Sequence, residues 1–213
     1  MDGAALCPFC CLQGIDREDG GTSMSKKKIP ILFVIFYVLM LLLWRGIFFS
    51  SCSAGLKMGT AIGLNLILTL GVLTVLKKSG RPFSCYGIFF DDIFVEIGWG
   101  VLAGTAWNFF LQGRILPASI SFARILLLIL IAVSEELIWR GYLLETLREI
   151  TGRPGYAVFL AALGFSCLHA IDIIEPLQLA AAFVLGLLWG FLRLRKNSSL
   201  FFCMTMHFLI DLI

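Results

Sequence analysis

Two adjacent glutamates and an arginine follow an almost wholly apolar segment, so ionisable groups fall inside a predicted membrane helix. Glu135, Glu136 and Arg140 come directly after the run 124–133. An ionisable side chain at membrane depth costs a few kcal/mol on insertion scales, and such residues mark function by default. The stretch therefore favours an intramembrane active site over a structural accident.

The spacing of these residues separates the two glutamates. Glu136 and Arg140 are four residues apart, so they share one helix face and can form an ion pair. Glu135 is rotated from Glu136 by about 100°, and the same arginine cannot neutralise it in the same way. The alternative, an ion pair that only fixes helix packing, needs one carboxylate. The second carboxylate favours a general base.

The only two histidines of the chain also lie in apolar segments. His169 follows Phe165 by four residues, and His207 precedes Asp211 by four, so each pair shares a helix face. Asp211 can accept a hydrogen bond from one imidazole nitrogen and fix the tautomer. Alternatives are a core histidine at position 169 and an interhelical polar clamp at His207.

Composition indicates a membrane protein. The chain has 213 residues, of which 59% are hydrophobic and 15% charged, whereas soluble domains carry about 25% charged residues. The basic residues cluster at the ends of apolar segments, as in loops held on the cytoplasmic side. No basic stripe lies elsewhere, so nucleic-acid binding is not predicted.

The apolar segments predict an all-α fold, a polytopic bundle of about seven transmembrane helices. A span needs about 20 mostly apolar residues, and the candidates are 29–49, 58–76, 93–111, 120–145, 156–174, 177–194 and 198–213. We divide the chain into a tail at 1–28, N-terminal transmembrane helices at 29–111 and a catalytic core at 118–213. The predicted protein is a multi-pass cell-membrane protein with a cytoplasmic N-terminus. Met24 is a candidate initiator.

Glycines mark two of these spans. Gly186 and Gly190 form a small-xxx-small pair, which lets helix backbones approach closely in lipid, and we interpret the pair as a packing feature. Gly98, Gly100 and Gly104 make the third span a poor helix former, so it could begin as an interfacial segment.

Together these residues resemble the CAAX-protease and bacteriocin-processing (CPBP, or Abi) family of intramembrane endopeptidases. The family pattern has four motifs, and this chain carries them in order, each on its own predicted helix. They are Glu135-Glu136 with Arg140, Phe165 with His169, Phe183 with Gly186 and Gly190, and His207 with Asp211. The resemblance covers about residues 118–213.

The resemblance implies a polar cavity among the last four spans and a catalytic set made of Glu135, Glu136, Arg140, His169, His207 and Asp211. In this reading Glu135 activates a water for attack on a peptide bond, while the second glutamate and the arginine shape the site. His169 assists proton transfer, and His207 stabilises the oxyanion. The family pattern allows Asn in place of Asp211. A carboxylate cannot donate a hydrogen bond, so we assign Asp211 the orienting role on His207.

The implied partners are a protein or peptide substrate, either prenylated or unprenylated, and the lipid bilayer. We predict no cofactor, and zinc held by Glu135, His169 and His207 is the alternative, because His and Glu are common zinc ligands. Two other function classes stay open: a non-catalytic bacteriocin self-immunity or membrane scaffold protein on the same fold, and an ion-coupled transporter. A transporter is usually built from repeated halves, and no repeat is present.

Overall fold

The structure is a computed structural model that describes residues 23–113, 117, 119–170, 175–195 and 199–212. These residues form helices and no strands. In chain order we name them α1 (Ser23–Phe48), α2 (Ala54–Lys78), α3 (Ile93–Trp107), α4 (Phe122–Glu136), α5 (Leu144–Thr151), α6 (Pro154–His169), α7 (Pro176–Arg193) and α8 (Leu200–Asp211). The predicted all-α fold is confirmed, while the tail at residues 1–22 lies outside the described part.

Local signals set where several helices begin and end. Ser53 and Ser121 cap α2 and α4, because each hydroxyl accepts a hydrogen bond from a first-turn backbone N–H. Gly152, with φ of +64°, ends α5, in the left-handed conformation that favours glycine. A π-helical segment, Leu137–Leu143, joins α4 to α5 without a break. The helix that begins at Phe122 therefore continues to Thr151.

Three described helices are long and apolar enough to cross a membrane, namely Ala54–Lys78, Ile93–Leu111 and Pro176–Arg193. Shorter apolar helices lie at Ile35–Phe48, Pro154–Cys167 and Leu200–Asp211. Large apolar side chains such as Leu70, Phe94 and Leu177 are exposed on the outer surface. An apolar outer surface is what a bundle in lipid requires, because lipid cannot satisfy polar groups.

The third predicted span is a regular helix, α3, continued by a π-helical turn at Asn108–Gln112. Its glycines pack against α8: a Cβ on Gly100 would lie 2.8 Å from the carbonyl oxygen of Phe202, and one on Gly104 would lie 2.8 Å from the Cβ of Leu209. Low helix propensity is therefore outweighed by close helix packing. The amide of Asn108 adds a 2.6 Å hydrogen bond to the Leu209 carbonyl.

The helix that carries Glu135 and Glu136 is placed by its neighbours on several sides. α4 packs against α2 and α8, and the π-helical segment contacts α6, α7 and α8. The largest buried cluster lies between these helices and includes Ile138, Trp139, Phe165 and Trp189. The predicted site residues therefore come from helices that already meet in one core.

Candidate active site

The two glutamates lie at the junction between α4 and the π-helical segment. Glu135 and Glu136 end the regular helix, and Arg140 lies inside the π-helical turn. π-helical turns are rare in proteins, and those that occur frequently lie at functional sites. Here the wider turn still brings Arg140 Nη1 to 2.9 Å from Glu136 Oε1. The ion pair predicted from the four-residue spacing is present.

Glu136 is completely buried and is held from two helices. Its Oε1 accepts a hydrogen bond from Arg140 on the same helix and lies 2.9 Å from His207 Nδ1 on α8. A carboxylate only accepts, so Nδ1 of His207 is the donor in the second bond. Through Oε1 the side chain therefore joins α8 to the π-helical segment, while its buried Oε2 has no hydrogen-bond partner among the described residues.

Arg140 lies between two aromatic rings. Its guanidinium carbon is 4.2 Å from the ring centre of Phe165 and 4.9 Å from that of Trp189. A cation over an aromatic face is attracted by the ring quadrupole, more strongly where water is excluded, and Arg140 is only 3% exposed. The sequence did not predict this role for Trp189. Its ring also stacks on His207, with centroids 5.0 Å apart.

Glu135 has a different environment from Glu136. Its side chain is 14% exposed, and its Oε2 lies 3.8 Å from Nε2 of both His169 and His207. A separation of 3.8 Å is too long for a direct hydrogen bond, and Oε2 has no hydrogen-bond partner among the described residues. One small group, such as a water or a substrate oxygen, can bridge the carboxylate to either ring. The sequence-based division into one paired and one available glutamate agrees with this geometry.

His169 is oriented by the backbone of its own helix. Its Nδ1 lies 2.9 Å from the carbonyl oxygen of Phe165. Because a carbonyl can only accept, Nδ1 carries the proton, and in the neutral ring Nε2 keeps its lone pair. That lone pair is on the nitrogen that faces Glu135. The neutral ring is thus arranged to accept a proton on the side of the Glu135 carboxylate.

His207 lies between carboxylates on both ring nitrogens. Its Nδ1 bonds Glu136, and its Nε2 lies 3.3 Å from Asp211 Oδ2, as the four-residue spacing predicted. A histidine can donate at both nitrogens only as the imidazolium. The ring is 4% exposed, so its orientation is fixed, and Nε2 points toward the space beside Glu135.

Gly186 and Gly190 let α7 approach α6 at the back of the site. A Cβ on Gly186 would lie 3.1 Å from the Cα of Ala162 and 3.5 Å from Arg140 Nη2, and one on Gly190 would lie 2.7 Å from Val158 Cγ1. The packing role predicted for this glycine pair is confirmed. Close approach of α7 also places Trp189 against Arg140.

A cavity adjoins Glu135 on the side of the N-terminal helices. It has a volume of about 120 Å³ and is lined by α1, α2 and α4, with Tyr37, Trp44, Asn65, Ile131 and Glu135 among the lining residues. One water needs about 10–15 Å³ by this measure, so several fit. This cavity is bordered by α1 and α2, and the cavity among the last four spans that the resemblance implies stays a prediction.

The comparisons with known proteins agree with the motifs. Residues 117–213 match the family model described as type II CAAX prenyl endopeptidase Rce1-like. The matched region is Rce1-like. Searches of curated proteins and of solved structures returned no significant match. The Rce1-like family supports a CAAX-type intramembrane protease function in general and indicates a peptidase, so the resemblance stated from the four motifs is confirmed.

The metal alternative is tested by the spacing of the donor atoms. Ligand atoms about 2.0–2.1 Å from a tetrahedral zinc are about 3.3 Å apart, whereas Glu135 Oε2 is 3.8 Å from each histidine Nε2. Across the described ranges, no three His, Cys, Asp or Glu side chains form a group with metal-binding spacing. These side chains do not fit a zinc ion as they stand, and a metal-free mechanism stays a prediction.

Two residue contacts at the border of this candidate site involve side chains outside the four motif positions. Trp189 stacks on His207, and Ser134 donates a 2.9 Å hydrogen bond to Asn65 on α2. A tryptophan beside a small-xxx-small pair and an asparagine within an apolar span are visible in the sequence. Neither pattern indicates which helix the side chain faces, so contacts between helices could not be inferred from spacing.

Proposed function

We propose that this protein is an intramembrane endopeptidase in which Glu135 activates a water molecule to hydrolyse a peptide bond. The observation that carries the proposal is Oε2 of Glu135, a buried carboxylate oxygen beside both imidazoles. It lies 3.8 Å from Nε2 of His169 and of His207, with no hydrogen-bond partner among the described residues. A water placed there can contact a base and two imidazoles at once.

The chemistry follows from the roles of these groups. Glu135 takes a proton from water, and the water oxygen forms a bond to the substrate carbonyl carbon. His207 donates from Nε2 to the oxygen that becomes negatively charged, as an oxyanion hole does. The C–N bond then breaks, and the proton held by Glu135 passes to the leaving amine, with His169 Nε2 as a relay. One peptide bond and one water are consumed, and one acid and one amine are released.

Glu136 and Arg140 hold this geometry in place and do not enter the reaction. Glu136 is fully buried and keeps the orientation of His207 through Nδ1. Asp211 Oδ2 lies 3.3 Å from Nε2, so it holds the donor in the direction of the site. When a substrate oxyanion forms, it competes with Asp211 for that donor. The side chain of Asp211 is 34% exposed, which leaves it room to move away.

The proposed substrate is a peptide or protein presented at the membrane, as in CAAX processing or peptide and bacteriocin maturation. The apolar outer surface of the helices and the Rce1-like match support a membrane location. A prenyl group on the substrate and the multi-pass topology with a cytoplasmic N-terminus are part of this proposal. We propose no cofactor.

The test compares purified wild-type protein with Glu135→Gln on a peptide library that includes prenylated and unprenylated members. Glutamine keeps the size of the side chain and cannot act as a base at neutral pH. We expect cleavage to fall at least about 100-fold, the lower range of a positioned general base. Glu149→Gln is the matched control. Glu149 lies on α5, away from Glu135, and is a partly exposed partner of Arg81.

Three outcomes separate the hypotheses. Loss of cleavage in Glu135→Gln, with the control unchanged and both proteins folded, supports the protease. Full activity in Glu135→Gln contradicts it. Failure of the wild type to cleave any library member, together with a biological effect that survives Glu135→Gln, would favour the immunity or scaffold alternative.

A further inference from the structure

We propose that Asn65 on α2 is a positioning residue for Glu135, and that it acts through Ser134. The inference rests on the proposed function for its kinetic test and has a second test that needs no activity. Asn65 lies outside the Rce1-like region, which begins at residue 117. A positioning role for Asn65 would mean that α2, which carries none of the four motifs, also contributes to the candidate active site.

The contact that carries the inference joins two helices in apolar surroundings. Ser134 Oγ lies 2.9 Å from Asn65 Oδ1, and Asn65 Nδ2 lies 3.0 Å from the carbonyl oxygen of Ala61 one turn earlier on α2. The second bond fixes the amide so that Oδ1 faces α4. Ser134 then has a preset acceptor, and it is fully buried. In lipid, hydrogen bonds of this kind hold helices in one relative position.

Ser134 comes directly before Glu135, so a shift of this residue moves the carboxylate. Ser134 Oγ also lies 3.1 Å from the carbonyl oxygen of Ile131 in its own helix. A hydroxyl has one proton, so without Asn65 the serine would turn to its own backbone. The hydrogen bond between α2 and α4 would then be lost at the turn that carries Glu135.

The same two helices form the cavity beside the carboxylate. Asn65 and Glu135 both line it, together with Leu68 of α2 and Ile131 of α4. The other lining residues of α2 are Ala61, Leu64 and Leu68, which are apolar and set no direction. Among the α2 residues that line the cavity, Asn65 therefore supplies the directional contact to α4.

The kinetic test uses Asn65→Ala, Ser134→Ala and the double variant in a mutant cycle. A misplacement of about 1 Å can cost about 100-fold in rate, and we expect a partial shift to lower kcat about tenfold with KM within about twofold. Because both residues act through one contact, the double variant should be no slower than either single variant. Thr74→Val is the control, since the exposed Thr74 hydroxyl bonds only the backbone of the same helix.

The second test measures the position of Glu135 without a substrate. The apolar reagent dicyclohexylcarbodiimide reacts with carboxyl groups in apolar sites, and mass spectrometry gives the labelling rate of Glu135. We expect Asn65→Ala to change that rate at least about threefold and Thr74→Val to leave it unchanged, because only the first variant removes the contact that orders the neighbouring turn. This result would stand even if no peptide were cleaved.

The outcomes are distinguishable. If the wild type cleaves peptides, kcat decides: an unchanged kcat in Asn65→Ala overturns the inference, and so does a double variant whose losses multiply. If the wild type cleaves no peptide, the proposed function fails and the labelling rate decides: an equal rate in wild type and Asn65→Ala overturns the positioning role.

Discussion

Replacement of Arg140 by leucine should destabilise the protein strongly, although Arg140 is not placed in contact with the substrate. The arginine is 3% exposed, bonds the fully buried Glu136 and lies between the rings of Phe165 and Trp189. Leucine keeps part of the apolar volume and removes the charge and the donors. Glu136 would then keep a single partner, His207.

The magnitude follows from the environment of Glu136. Removing one partner of a buried ion pair costs about 3–5 kcal/mol, because the other charge is left without compensation. The insertion cost of one carboxylate at membrane depth, about 3 kcal/mol, gives a similar figure. Contact with His207 reduces the penalty, and loss of the two cation–ring contacts adds to it. We expect the free energy of unfolding to fall by about 3 kcal/mol.

The assay is equilibrium unfolding of purified protein in mixed micelles, followed by tryptophan fluorescence. Arg81→Leu is the matched control, because Arg81, in the loop after α2, pairs with Glu149 of α5 and both side chains are about one-third exposed. An exposed pair contributes about 0–1 kcal/mol. If Arg140→Leu and Arg81→Leu lower the free energy of unfolding by the same small amount, the reasoning that the buried Glu136–Arg140 pair stabilises the fold is refuted.

Three further predictions concern the partners of the site. Asp211→Asn should keep most activity, because the amide oxygen still accepts a hydrogen bond from His207. Asp211→Ala should lower kcat about tenfold, because the ring loses the contact that orients Nε2. Equal kcat values for the two variants in steady-state kinetics would contradict the orienting role of Asp211. Gly190→Ala should cost about 1–3 kcal/mol in unfolding free energy through overpacking against Val158, while Gly63→Ala, with nothing within 4 Å of its Cβ, should not destabilise. A chelator should leave peptide cleavage unchanged, and activity lost with chelator and restored by zinc would require the metal alternative.

Contacts within one helix could be predicted from the sequence. The spacing of Glu136 and Arg140, and that of His207 and Asp211, gave pairs that the structure contains. Helical periodicity fixes which residues share a face, so a four-residue separation is enough. The glycine pair of α7 is a similar case, because small residues alone indicate close packing.

Contacts between helices could not be predicted in this way. Nothing in the spacing places His207 against Glu136, Trp189 over Arg140, or Asn65 against Ser134. These contacts depend on which helices are neighbours and on their rotation. The resemblance to the family brought the motifs together as a set, but it assigned no role to the residues outside them.

Propensity misjudged the third span for a related reason. Its glycines lower intrinsic helix propensity, yet Gly100 and Gly104 form the surface on which α8 packs. In a membrane bundle, the close approach that glycine allows outweighs its conformational cost. The position of Glu135 in a cavity beside α2 also depends on tertiary structure, because the cavity forms only when α1, α2 and α4 are assembled.

The most direct test of the account is a single turnover in water enriched in oxygen-18, with mass spectrometry of both the product and the enzyme. If Glu135 activates water, the new product carboxylate gains one heavy oxygen in the first turnover, and the peptide that contains Glu135 keeps its mass. Heavy oxygen in Glu135, with an unlabelled product after the first turnover, would mean that the carboxylate attacks the substrate itself, and would contradict the proposed role.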